Sequence, residues 1–362
     1  MKIMKALINK FLTLLVILSI FSCTEDDITE GGNTILDYDI PQVPVTSDYI
    51  VGSRYLRFGR LGTVVETPTI GVYNGNLGDP LIYEAHVKQA QTAGIDFFIF
   101  EMRSSNNISQ YNQDISFIDG LLTAPNANDI KFAISYNFAN MNLNNNNRIE
   151  ARNLVTKFID DFTKMIPYFQ KSNYMSINGK KVVYIFNAFN LFSDDNAALY
   201  QQMRAELSNQ GFELFIIGDQ QEWTPTLRFD FRFINAVDAV THKTYALINV
   251  NQYDVLNTFH KFTDIAFNYH KNTWNKYNIE YVPTISPSIN IRLQNPGSPT
   301  FIIEKNAQWF RDFCNIARRA TGNSKLIILD SFNNWNNDTQ VEAAESYGED
   351  YLKIVREEFK TN

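Results

Sequence analysis

Short apolar runs rich in Val, Ile, Phe and Tyr recur along the chain and alternate with longer amphipathic stretches. The runs at Thr69–Tyr73, Ile95–Phe100, Lys131–Tyr136, Val182–Phe186, Leu214–Gly218, Ala236–Thr241, Tyr281–Ile285 and Lys325–Leu329 are compact and apolar. They predict strands buried on both faces. Between them, residues near 80–93, 150–170, 195–209, 252–276, 301–320 and 341–359 repeat apolar positions at helical spacing. Asp338-Thr339 offers an N-cap for the last helix. Eight strands alternating with helices predict parallel βα units, an α/β chain and a (β/α)8 TIM barrel. A doubly wound open sheet is the second architecture. No Gly-rich phosphate loop follows the first strand, which counts against it.

The start of the chain departs from this pattern. Lys2, Lys5 and Lys10 flank an apolar core, Phe11 to Phe21, shorter than the ~20 residues that a membrane span needs. The core ends at Ser22-Cys23, a junction that resembles a bacterial lipobox. Residues 1–22 are therefore expected to be a signal peptide, with Cys23 lipidated after cleavage. The plainer reading is an ordinary signal with an incidental cysteine. Thr24-Glu25-Asp26-Asp27 resembles the surface-export signal of Bacteroidetes lipoproteins. The expected location is the outer membrane, facing the cell exterior of such a bacterium. Residues 23–46 are polar and acidic and predict a flexible tether. Residues 47–362 are left for one barrel domain.

The formal net charge is −7, and no basic cluster interrupts it. That argues against nucleic acid as a partner and suits an uncharged ligand, with the lipid rather than charge holding the membrane. Cys314 sits in a helical pattern and is expected to be a buried thiol, so no disulfide is expected. His86, His242, His260 and His270 lack ligand spacing, and no metal or other cofactor is expected. No G-x-S-x-G elbow is present, which disfavours acyl hydrolysis.

A (β/α)8 barrel builds its site at the C-terminal ends of its strands. That rule gathers Tyr73 and Asn74, Glu101 and Arg103, Tyr136 and Asn137, and Asn187. It adds Asp219, Glu222 and Trp223, then His242, Lys243 and Tyr245. Ser286, Asn290, Arg292 and the stretch from Asp330 to Asn337 close the ring. Aromatic faces pack on sugar C–H faces, and amides and arginine bind hydroxyls, so the set suits a neutral glycan. For any single member the plainer role is loop packing.

The densest local pattern is Phe332-Asn333-Asn334-Trp335-Asn336-Asn337-Asp338-Thr339-Gln340-Val341-Glu342 after the eighth apolar run. It resembles the Phe-Asn-Glu-Trp-x-Glu-Gly-Thr-Gln-x-Glu motif of glycoside hydrolase family 99, the endo-α-mannosidases, and of the related WbsX-like proteins. Further patches are similar to that family. They are Asp79 to Asp96 with His86, the Tyr174–Ile185 lead into a strand, Val282 to Arg292, and Tyr347 to Leu352. The resemblance implies a (β/α)8 barrel and an α-mannose-type ligand. It also implies that the first two motif glutamates carry the reaction: one deprotonates the sugar's own 2-hydroxyl, the other protonates the leaving group. Here those positions are Asn334 and Asn337.

An amide does not ionise near neutral pH, and the loss of one positioned acid or base typically costs ~10²–10⁴ in rate. The expected function is recognition of α-mannose-containing glycans by a lipoprotein, in concert with glycan-uptake partner proteins, with little or no hydrolysis. Its expected contacts are Trp335, Asn333, Asn334, Asn337, Tyr73, Tyr136, Trp223, Tyr245 and Arg292. The alternative is a divergent endo-acting hydrolase with relocated carboxylates, drawn from Asp338, Glu222 and Glu101. On this reading Asp338 caps the last helix, and Glu342 lies in its first turn, favouring the helix dipole.

Overall fold

The computed structural model describes residues 38–57, 66–73, 78–221, 230–242, 252–298 and 301–361. Its compact body runs from Ile40 to Asn362. The barrel strands are β1 (Ile50–Tyr55), β2 (Phe97–Arg103), β3 (Lys131–Asn137), β4 (Lys180–Ile185), β5 (Leu214–Asp219), β6 (Ala239–Thr241), β7 (residues 280–285) and β8 (Leu326–Leu329). All neighbours are parallel, in the order β7-β6-β5-β4-β3-β2-β1-β8. Strand β7 joins both ends of that row. Glu280 and Tyr281 pair with β6, and Thr284 and Ile285 pair with β8. This is the (β/α)8 barrel that the alternation of runs and helices predicts.

Around it stand α1 (Pro80–Ala93), α2 (Ile108–Leu121), α3 (Val155–Thr163), α4 (Ile166–Phe169), α5 (Asn196–Asn209), α6 (Gln252–Asn275), α7 (Ala307–Ala320) and α8 (Asp350–Phe359). Four of the helix starts are fixed by side-chain caps. Asp79 accepts from Leu81 N, Asn107 from Gln110 N, Asp195 from Ala198 N and Asn306 from Trp309 N. Cys314 is fully buried in α7. Residues 41–43 are clamped to the same helix, because Asn315 donates to Pro41 O and accepts from Val43 N. The chain is therefore held earlier than its composition suggests.

Three expectations need correction. The first strand is Ile50–Tyr55, not Thr69–Tyr73; that later run only bridges the closing loop, through Pro68–Ala344 and Thr69 N to Ala343 O. Helix α2 went unread because its sequence is polar, with three apolar residues facing the core, Phe117, Ile118 and Leu121. The last helix begins at Asp350, and residues 339–349 form turns instead.

Side chains alternate in and out along each strand. Val51, Tyr55, Phe98, Phe100, Phe132, Ile134 and Tyr136 belong to the larger core beneath the helices. Phe97, Ile99, Ala133, Val182, Tyr184, Phe215, Ile217, Val282, Leu326 and Ile328 fill the barrel interior. Gly52 faces inward as well. A Cβ there would strike the Phe97 ring, so this layer has no room for a side chain. Two further residues along each strand, the same alternation sets the lining of the mouth.

Candidate functional site

The mouth layer is polar. Counting by twos from the interior apolar positions gives Arg54, Glu101, Asn137, Phe186, Asp219, Thr241, Ser286 and Asp330. Arg54 is the hub of this layer. Its guanidinium pairs with Asp330 at 3.3 Å and lies over the Phe186 ring, 5.1 Å from the centroid. Burial alone would push the Arg54 pKa down. The negative charges of Asp330, and then Asp219 and Glu101, outweigh it and hold the guanidinium above its ordinary range. Burial and the Asp219 carboxylate push the Tyr184 hydroxyl well up, so it remains a neutral donor. Thr241 and Thr284 hydroxyls meet at 2.7 Å across the floor.

The turn after β8 carries the motif. A cis peptide joins Asp330 and Ser331. Ser331 Oγ accepts from Asn334 N at 2.8 Å, and Asn334 Oδ1 accepts from Asn337 N at 3.2 Å. Asn337 O in turn accepts from Asn290 N at 2.7 Å, tying this turn to the β7 loop. Asn333 brackets Leu56, accepting from its N–H at 2.8 Å and donating to its carbonyl at 3.1 Å. The carboxamide of Asn334 thus works as a turn cap, and that of Asn333 fixes the chain after β1.

The two motif carboxylates are engaged elsewhere. Asp338 adopts a left-handed conformation (φ 56°) closing the short helical turn Trp335–Asn337. Its Oδ1 accepts from Lys305 Nζ at 2.6 Å and from Gln340 Nε2 at 3.2 Å. It does not cap α8. Burial pulls the Lys305 ammonium below its ordinary range, with Asp338 opposing. Glu342 is fully buried and accepts three hydrogen bonds: Tyr73 OH at 2.8 Å, Trp335 Nε1 at 2.8 Å, and His86 Nε2 at 2.9 Å. The other His86 nitrogen meets Tyr55 OH at 2.8 Å. Glu342 is therefore the centre of a buried polar network under the turn, well before the first turn of α8.

Parity and burial redistribute the expected contacts. Trp335 is only 1 % exposed, so it supports the turn from inside and offers no face to a sugar in this conformation. Tyr136 falls on the outward row, and its hydroxyl donates to the buried Asp161 carboxylate on α3 at 2.9 Å. Tyr73 is half-buried and spends its hydroxyl on Glu342. Asn137 and Glu101 fall on the mouth row, and Asn137 donates to Glu101, whereas Asn334 is buried in the turn and Asn337 is half-buried there. Arg292 is half-buried on a turn beside Asn290. Glu222, Trp223, Tyr245 and Cys23, like Asn74 and Lys243, lie outside the described residues. Among the described residues, no three His, Cys, Asp or Glu side chains converge as a metal-binding group.

A cavity of about 450 Å³ opens where the loops after β3 and β4 meet. Its wall holds Asn137, Asn142, Asn144, Asn187 and Asn190 with Phe138, Phe186 and Phe192. Asn137 and Phe186 belong to the mouth layer, so the cavity continues it outward. The Asn-rich run Leu143–Asn147 supplies part of this wall through Leu143 and Asn144. Arg54, Asn142, Asn190 and Phe192 are among the members that the strand-end rule does not gather. Arg54 was hidden by the misplaced first strand, and the others by lying in loops.

A closed parallel barrel with a polar, amide- and aromatic-lined mouth defines a glycoside hydrolase-like architecture. Residues 66–355 match the family model described as Glycosyltransferase WbsX, and the chain belongs to that family. A solved structure described as a glycoside hydrolase-like protein is 38 % identical, with 91 % of this chain and 99 % of that chain aligned and a TM-score of 0.85. The GH99 endo-α-mannosidase from Bacteroides thetaiotaomicron, solved with bis-tris propane, is 16 % identical. It aligns over 86 % of this chain and 98 % of its own, with a TM-score of 0.62, a likeness of fold. A search of curated protein sequences returns no match.

Proposed function

We propose that this chain recognises α-mannose-containing glycans at the barrel mouth without effective hydrolysis. One observation carries the reading. Asn334 and Asn337 stand where the resemblance places an acid and a base, and the carboxylates nearest in sequence are committed, Asp338 to Lys305 and Glu342 to His86, Tyr73 and Trp335. Hydrolysis needs two available carboxyl groups at a set separation. Recognition needs hydroxyl-binding amides and ring faces, which the mouth supplies.

The same reading takes Cys23 as a lipid anchor and the acidic stretch behind it as an export signal to the cell surface. There the barrel would serve a glycan-uptake system with partner proteins. Glycosyl transfer, which the family description names, needs an activated sugar donor. A chain held outside the cell lacks a ready supply of one.

A second reading is favoured by a specific feature. Glu101 is exposed at the mouth and lies within the field of Arg54 and its other carboxylates. As a relocated acid it would make the protein a divergent endo-acting hydrolase, and Glu101→Gln would abolish its activity.

Affinity electrophoresis of the full-length protein through gels containing α-mannan tests recognition. Retardation relative to mannan-free gels is expected. Equal mobility in both gels contradicts the proposal.

A further inference from the structure

The outer face of α6 is apolar where the outer face of a surface helix is ordinarily polar. Phe262, Ile265 and Tyr269 are 42 %, 45 % and 58 % exposed, and Tyr277, just past the helix, is 38 % exposed. At about 3.6 residues per turn, Lys261, Phe262, Ile265, Tyr269 and Asn272 share an arc of about 100°. The opposite side is committed to the barrel, where Phe259, Phe267, His270 and Trp274 are buried.

The charge around this stripe is basic, in a chain whose formal net charge is −7. Lys261 and Lys271 are half-buried on the helix, and Lys276 is exposed just past its end. Over residues 258–277 the single acidic side chain, Asp264, is fully buried and paired with Arg319 at 2.7 Å. Aromatic rings interleaved with ammonium groups suit the interfacial zone of an anionic bilayer. Rings sit there at headgroup depth, and lysine stems lie along them with the charge in water. A protein partner is a poorer match. Three half-exposed side chains offer roughly 300 Å², against ~800 Å² per partner in a stable interface.

The path of the chain brings a membrane to this face. Asn315 holds residues 41–43 on α7, and Ile40 and Gln42 border one small cavity with His260 and Lys261 of α6. Covalent geometry limits the stretch from Cys23 to Tyr38 to roughly 50 Å. A lipid at Cys23 would therefore keep the bilayer near α6 and α7. Helix α6 returns the chain from the mouth end of β6 to the start of β7. Its C-terminal half, with Ile265, Tyr269 and Tyr277 beyond it, lies at the end of the barrel away from the mouth.

We infer that this face of α6 rests on the surface of an anionic bilayer, turning the barrel mouth toward the medium. The inference rests on the lipid anchor proposed above at Cys23, and it adds a second membrane contact to that anchor.

Lipid quenching tests it. The full-length chain, made with its signal and purified from membranes, is reconstituted on vesicles of phosphatidylcholine and phosphatidylglycerol. A bimane label is carried by Asn272→Cys on the stripe or by Asn145→Cys in the loop beside the mouth; Cys314 is fully buried and stays unlabelled. Nitroxide lipids are expected to quench the label at position 272 and to spare the one at 145. Each lysine at an anionic surface favours contact about fivefold, so vesicles of phosphatidylcholine alone should quench position 272 several-fold less. Ile265→Asp combined with Tyr269→Asp changes only exposed side chains, and it should bring quenching at 272 down to the level at 145.

Protein that floats with the vesicles but is quenched equally at both positions overturns the membrane contact and leaves the anchor standing. Protein that fails to float lacks the anchor, which overturns both. Disulfide cross-linking of two copies through the Asn272→Cys variant, without lipid quenching, overturns the contact in favour of a second copy.

Discussion

Arg54→Met isolates the interaction that organises the barrel mouth. The substitution keeps an unbranched apolar stem and deletes the guanidinium that pairs with Asp330 and lies over Phe186. Asp330 then loses its partner, and Asp219 and Glu101 lose the cation whose field they share. Removing one member of a fully buried pair costs about 3–5 kcal/mol. Here the side chains are 18 % and 16 % exposed, so water recovers part of that, and about 2–3 kcal/mol is expected. Asp330→Asn leaves Arg54 two other carboxylates and should cost only about 1 kcal/mol. The double variant should cost less than the sum, with a coupling of about 1 kcal/mol or more. Urea unfolding followed by tryptophan fluorescence measures all three. A cost below about 0.5 kcal/mol for Arg54→Met, or costs that add within about 0.5 kcal/mol, would refute the hub assignment.

Other expectations probe the scaffold around the site. Glu342→Ala strands two buried donors, Trp335 and His86, and the half-buried Tyr73 hydroxyl, and should lower stability by about 3 kcal/mol or more in thermal unfolding. Trp335→Phe removes one of those bonds, so a loss of about 1–2 kcal/mol with unchanged glycan affinity is expected; lost affinity in a folded variant would return the indole to the ligand site. Burial lowers the pKa of His260 to about 4 and of His270 to about 3. Below the ordinary 6.5 the unfolded chain takes up protons that the folded chain refuses. Stability should therefore fall as pH drops from about 6.5 toward 4, by up to about 1.4 kcal/mol per unit for each residue. His260→Phe keeps the ring against Trp309 and should flatten that slope; an unchanged slope contradicts the linkage.

Most of the barrel was legible because seven of its strands carry short runs rich in apolar residues, as strands buried on both faces do. Strand β1 was not, since Ile50-Val51-Gly52-Ser53-Arg54-Tyr55 mixes a glycine against Phe97 with a charge at the mouth. Reading Thr69–Tyr73 in its place hid Arg54. Tyr136 and Asn137 lie next to each other at the end of β3, and only strand parity tells which one faces the ligand. Trp335 and Glu342 share the motif but not its exposed face. Their mutual hydrogen bond is a contact that spacing alone does not reveal. The cavity wall came from the loops after β3 and β4, where no periodicity marks a side chain's direction.

Product chromatography tests the central claim most directly. The full-length protein at high concentration is incubated overnight with α-mannans and mannosides that it retains in affinity gels, across several pH values. Intact glycans are expected throughout, since neither Asn334 nor Asn337 can donate or accept the proton that bond cleavage requires. A new oligosaccharide that accumulates with time and disappears in Glu101→Gln would contradict the account and establish a relocated catalytic carboxylate.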